Sequence, residues 1–223
     1  MLDLSPSSRL RPKQQGFTLI ELLMVIAVIL ILAGITFGIS RGVQNAQARA
    51  KAKAELATIS QAIEQFKSRY GDYPWHMSGG GFPGGEDDTN IMLTYALTGR
   101  LKLEPDSNQG GQIRAVKIAD SMDNEDVVRN PKFIDITKFS TTGTDDNPQM
   151  ILDPWGNPYK YWYKWDNNTA EWDIFGYHLY STGPNGASAH TALKGEMESE
   201  TSGVLKPGFR DVANAEGIIF AGE

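Results

Sequence analysis

The sequence predicts an α+β protein in which a long N-terminal α-helical spine, its N-terminal half transmembrane, packs against a small C-terminal antiparallel β-sheet. Three observations carry that prediction. Phe17 to Ile39 is a run of 23 residues with one ionisable side chain, Glu21. Leu56, Ile59, Ile63, Phe66 and Tyr70 recur at steps of three and four, the spacing that lines one face of a helix. Tyr159, Tyr161, Tyr163 and Trp165 then alternate with Lys160, Trp162 and Lys164, the period of a strand.

As a helix rising about 1.5 Å per residue, the apolar run covers roughly 34 Å, enough for the roughly 30 Å hydrocarbon core of a bilayer. A secretory signal has a shorter apolar region, about 7–15 residues, followed by a cleavage site and unrelated sequence. Here helical periodicity continues well past the run. Arg9, Arg11 and Lys13 precede it, and Arg41, Arg49, Lys51 and Lys53 follow it, so charge alone leaves the orientation open. Glu21 stands four residues into the run, where a carboxylate is costly and expected to be paired or functional. Snorkelling to the headgroups is the alternative.

The basic leader, Gly16, Phe17, Thr18, Leu19, Ile20, Glu21 and the long apolar helix resemble the class III signal of type IV pilins and type II secretion pseudopilins. The resemblance implies a leader of residues 1–16 removed by a prepilin peptidase between Gly16 and Phe17, N-methylation of Phe17, and a main domain outside the inner membrane. Cleavage there leaves the apolar helix as a permanent N-terminal element with a new positive amine at its start. Glu21 then has a partner, the Phe17 amine of a neighbouring subunit in a filament. Because losing one member of a buried pair costs about 3–5 kcal/mol, the pair would make Glu21 a selector of assembly.

Composition sets limits. The chain of 223 residues carries a net charge of −6, and the leader contributes +2, so the remaining 207 residues carry −8. No basic stripe for nucleic acid is evident. Beyond the helix, one soluble domain with a modest core is expected. Cysteine is absent, so no disulfide can close a loop.

The segment 41–70 continues the helix as an amphipathic half: alanine is abundant and proline absent. A helix from Phe17 to about Arg69 would be about 80 Å long, which suits a filament subunit better than an enzyme. Gly34, Gly38 and Gly42 fall four apart, a spacing that allows close helix packing in membranes or local melting of the helix in a filament. Tyr70-Gly71-Asp72-Tyr73-Pro74 ends the spine.

Residues 71–149 read as a variable loop region with one short helix. The glycines of HMSGGGFPGGEDD lack the Gly-Lys-Ser/Thr ending of a phosphate loop. The short helix follows, capped by Asp88 or Thr89, facing the core with Ile91 and Tyr95, and stopping at Gly99. Asp120, Asp123, Glu125 and Asp126 lack the spacing of an EF-hand and read as a solvated acidic loop.

Residues 150–223 read as sheet and loops. The structural turn Asp153-Pro154-Trp155-Gly156-Asn157-Pro158 leads into the aromatic strand, with Trp155 anchoring the sheet. Asp166-Asn167-Asn168 supplies a turn, and Glu171–Ser181 a second antiparallel strand. LDPWGNPYKY and YHLYSTGPNG resemble segments of the type II secretion major pseudopilin, as does YGDYP. With the leader and spine, this resemblance covers somewhat over half the chain and implies a pilin-like fold.

That family commonly holds calcium in the loop after the second strand, and this chain departs from it. Asn185 stands where an aspartate is usual, while Glu196, Glu198, Glu200 and Glu216 supply oxygens without the familiar spacing. Calcium therefore stays an open alternative, and no other cofactor is expected. His76, His178 and His190 form no metal-spaced pair and no nucleophile elbow is present, so no enzyme activity is expected. The resemblance implies as partners further copies of the chain, other pseudopilins, the prepilin peptidase, an inner-membrane assembly platform and, before assembly, membrane lipid. The implied location is the bacterial inner membrane as a single-pass chain with its C-terminal domain in the periplasm, and then a periplasmic filament. The implied function is a type II secretion pseudopilus subunit. A type IV pilus subunit and a non-polymerising, singly anchored extracytoplasmic binding protein are the alternatives.

Overall fold

The computed structural model describes residues 16–75, 88–100, 103–105, 113–115, 130–144, 147–163, 176–196 and 204–222. The leader before Gly16, the acidic group at 120–126, the turn at 166–168, and Glu198 and Glu200 lie outside them. The protein is α+β, and Met1–Asn45 and Ala46–Glu223 form two compact units.

Helix α1 runs from Leu19 to Tyr70, 52 residues, and supplies the long element that the sequence predicts. It stops where expected. Gly71 takes φ +89 and its N–H reaches back to the Lys67 carbonyl at 2.7 Å, closing the last turn before Pro74. Within the first unit the large apolar side chains described between Phe17 and Ile35 are exposed. Among the described residues no helix is long and apolar enough to cross a membrane.

The second unit is organised on the amphipathic half of α1. Leu56, Ile59, Ile63 and Phe66 are buried in one core, and Tyr70 packs at its margin, so the predicted stripe is the buried face. Helix α2 (Asp88–Thr98) adds Ile91, Met92, Tyr95 and Leu97, and ends at Gly99 with φ +75. Where irregular structure is expected after it, β1 (Leu103–Pro105) pairs antiparallel with β2 (Ile113–Ala115), and β3 (Ser140–Thr144) with β4 (Asn147–Leu152). Threonine and glycine in β3 and proline at the start of β4 hide the β3–β4 hairpin from a hydrophobic-period reading.

Strand β5 (Lys160–Trp162) pairs antiparallel with β6 (His178–Ser181), with Tyr161 opposite Leu179, and β6 pairs with the short β7 (Ile219–Phe220). The hairpin matches the expectation, although β6 starts later than Glu171 and residues 171–175 lie outside the described ones. Tyr159, Tyr161, Tyr163 and Leu179 enter the core shared with α1 and α2. On the opposite side of the strand, Trp162 is buried as well. It packs against Tyr180 and His190, and His190 lies on α3 (Ala187–Lys194), which with α4 (Phe209–Glu216) forms in a region expected to hold sheet and loops. They bring Ala189, Leu193 and Ala213 against Tyr180 in a second core. Each helix has only eight residues, too few for a long periodic signal.

The free edge of β5 is closed as well. The Tyr161 N–H donates to the Asn90 side chain of α2 at 3.0 Å, a buried bond that occupies an edge donor otherwise open to another chain.

Candidate functional site

Gly16, Phe17 and Thr18 precede α1 in non-helical backbone, and Phe17 is 86% exposed. Helix α1 opens on a reciprocal cap. The Thr18 N–H and Thr18 hydroxyl both donate to Glu21 Oε2 at 3.1 Å, and the Glu21 N–H donates to Thr18 Oγ1 at 3.3 Å. A threonine followed three residues later by glutamate satisfies backbone donors at a helix start, and the carboxylate favours the positive end of the helix dipole. Glu21 thus has a partner within its own chain. The Thr-x-x-Glu spacing is the sequence signature of this box, overlaid here on the start of the apolar run.

The predicted turn lies in the second unit and is a closed hydrogen-bond knot. Asp153 is almost wholly buried. Its Oδ1 accepts from the N–H groups of Trp155 at 3.0 Å and Asn157 at 2.9 Å, and its Oδ2 accepts from the Ser181 hydroxyl at 2.7 Å. The Asp153 N–H and the Asn157 carbonyl meet at 2.7 Å, and the Gly156 N–H reaches the Asp153 carbonyl at 2.9 Å. Gly156 takes φ +88, a conformation that suits glycine. Leu152 bridges Pro158, carrying the chain towards β5, and Trp155 packs against the main core as an anchor, as the sequence suggests. Pro154 occupies the second turn position, where its fixed φ is pre-set.

The knot extends to the loop after β6. Ser181 Oγ accepts from the Gly183 N–H at 3.0 Å, and Asn157 Nδ2 donates to the Gly183 carbonyl at 2.8 Å. The two motifs read separately in the sequence, DPWGNP and STGPNG, are therefore one structural unit. Burial pushes the Asp153 carboxyl up, opposed by the Ser181 hydroxyl and the backbone N–H groups of Asn157, Trp155 and Gly156.

The aromatic strand is tied through hydroxyls to the spine and to the turn that follows it. Tyr159 donates to Glu55 Oε2 at 2.6 Å, Tyr161 to the Pro74 carbonyl at 2.9 Å, and Tyr163 to Asp72 Oδ1. Tyr177 meets Ser60 at 2.7 Å. Burial is the first cause raising the Tyr159, Tyr161 and Tyr163 hydroxyls well above the ordinary phenol range.

Of the residues weighed for calcium, Asn185 Nδ2 donates to Glu216 Oε2 at 2.9 Å, and Glu196 Oε2 lies beside Gly208, 3.2 Å from where a Cβ there would stand. Asn185 thus turns a donor, not an oxygen ligand, towards Glu216. Among the described residues no group of three or more histidine, aspartate or glutamate side chains is disposed to hold a metal ion.

The long helix thus opens on an exposed Phe17 and a Thr18–Glu21 box. A family model of the prokaryotic N-terminal methylation motif matches residues 11–37, the stretch holding Gly16, Phe17 and Glu21. The match speaks for that N-terminus and not for the second unit. No curated protein and no solved structure matches the chain.

Proposed function

We propose that the chain is a filament subunit of the type IV pilin superfamily, made as an inner-membrane precursor, cut between Gly16 and Phe17, and polymerised through α1. The observation that carries the reading is the methylation motif at residues 11–37, placed at the start of a 52-residue helix whose large apolar side chains described between Leu19 and Ile35 are exposed. Within the superfamily, the DPWGNPYKY and YHLYSTGPNG strings favour a pseudopilus subunit of type II secretion over a type IV pilus subunit. The hydrogen bonds joining these strings give them a shared structural purpose in this chain. The reading assigns no catalytic activity. Its partners are further copies, other pseudopilins, the prepilin peptidase and an inner-membrane assembly platform, with the main domain in the periplasm.

Mass spectrometry of the chain recovered from membranes and from sheared filaments tests the reading. Loss of residues 1–16 with a methyl group on Phe17, in both fractions, is the expected result. An uncut chain found only as a membrane-held monomer would instead favour a singly anchored binding protein.

A further inference from the structure

Of the eleven asparagines in the chain, only Asn185 precedes a glycine, Gly186. Glycine carries no side chain to shield its backbone nitrogen, so this is the step at which that nitrogen most readily attacks the preceding side-chain amide. Asn185 is exposed at the end of the short 3-10 turn Gly183–Asn185. Its Nδ2 donates to Glu216 Oε2, joining the loop after β6 to the last residue of α4. The two segments are in close contact, since a Cβ on Gly183 would stand 2.5 Å from the Gly217 carbonyl oxygen, and the loop is also packed on the turn before β5, where a Cβ on Gly186 would stand 2.8 Å from Asn157 Oδ1. Strand β7, at the edge of the sheet, begins two residues after Gly217.

We propose that Asn185 is a site of spontaneous deamidation and that the modification releases the tie between this loop and α4. The Gly186 nitrogen attacks Asn185 Cγ, its proton passes through water to Nδ2, and the Cγ–Nδ2 bond breaks as ammonia leaves. A second water opens the succinimide at either carbonyl, giving aspartate or isoaspartate, with no change of oxidation state. An aspartate there places a carboxylate against Glu216 where a donor stood, and like charges at contact repel. An isoaspartate lengthens the backbone of a loop already packed against Asn157 and Gly217. Glu216 restrains the amide in the unmodified chain, so the reaction is faster when that acceptor is removed.

The test incubates the full chain in detergent under warm, mildly alkaline conditions and maps acid formation by peptide mass and isoaspartate assay. Expected are modification at Asn185 ahead of the other asparagines, a several-fold faster rate in Glu216→Ala, and a wild-type rate in Glu216→Gln, which keeps an acceptor. Asn185→Asp is expected to lower the unfolding midpoint by about 3 °C and to speed amide exchange at residues 217–220. An intact Asn185 while other asparagines convert, equal rates in Glu216→Ala and wild type, or an Asn185→Asp chain with unchanged midpoint and exchange would each overturn the proposal.

Discussion

Ser181 and Asp153, 28 residues apart in sequence, share a buried hydrogen bond of 2.7 Å that locks the turn before β5 to the end of β6. Replacing Asp153 by alanine strands the Trp155 and Asn157 N–H groups and the Ser181 hydroxyl, at a cost of about 2–4 kcal/mol. Asparagine keeps one oxygen acceptor, so Asp153→Asn should lose less. Chemical denaturation of the detergent-solubilised chain measures both, and equal stability of Asp153→Ala and wild type would show the knot to be dispensable.

The same carboxyl gives a pH prediction. Its folded-state pKa lies above the ordinary 3.8, so the folded chain holds this proton more tightly than the unfolded chain. The resulting stability is fully present below 3.8 and is lost as pH rises through the folded value. Relative to Asp153→Asn, which does not titrate, the wild type should gain stability as pH falls from about 7 towards about 4. A difference between the two that shrinks over that interval contradicts the assignment.

How much of this was legible depends on distance along the chain. The spine, its buried stripe, the stop at Gly71 and the β5–β6 hairpin rest on local period and turn chemistry, which a sequence displays. The turn was visible as a string, but its bond to Ser181 was not, because nothing in either string names the other. Helices α3 and α4 were missed because a buried face of Ala189, Leu193 and Ala213 in eight-residue elements leaves too little pattern. The strand period puts Trp162 on the face opposite the tyrosines but does not name its neighbours there, Tyr180 and His190, which it meets edge-on. At the N-terminus, the Thr18 cap is legible from the Thr-x-x-Glu spacing alone.

Tyr159 and Glu55 set a third prediction. Glu55 is 8% exposed, with Lys51 at 3.6 Å and the Tyr159 hydroxyl at 2.6 Å. Tyr159→Phe removes the donor from a buried carboxylate and should cost about 1–3 kcal/mol, most of it recovered when Glu55 is also replaced by glutamine. A double-mutant cycle with no coupling would dismiss the tie. Because Tyr159, Tyr161 and Tyr163 all have folded pKa values above 10, their contribution to stability is complete below pH 10 and lost above it. The tyrosinate absorbance of these three, read as the difference between the wild type and their phenylalanine variants, should therefore rise together with loss of the fold, and not before it.

Gly183 has φ +62, and a Cβ there would stand 2.5 Å from backbone oxygen of Gly217, an atom that cannot swing away. Gly183→Ala should destabilise the second unit by about 2 kcal/mol or more from strain and displaced packing. By contrast, Gly71→Ala meets nothing within 4 Å and carries only the conformational cost of its positive φ, about 1 kcal/mol. Thermal unfolding of the two variants side by side should rank them in that order, and the reverse ranking would refute the close approach of the two loops.

Glu21 has two roles to separate, the cap on Thr18 within its own chain and the proposed pairing with a neighbour's Phe17 amine. Glutamine can take the glutamate position of a capping box but carries no charge. Glu21→Gln therefore keeps the Thr18 bonds and removes the ion pair, whereas Thr18→Ala weakens the cap by about 1 kcal/mol and leaves the charge in place. If pairing selects subunits, Glu21→Gln and Glu21→Ala are both cut after Gly16 and both assemble poorly, while Thr18→Ala assembles with only a frayed helix start. If the cap alone matters, Glu21→Gln assembles normally and Thr18→Ala fails. Filament yield on shearing, set against the processed fraction in membranes, reads the difference, and normal yield from Glu21→Gln would end the pairing account.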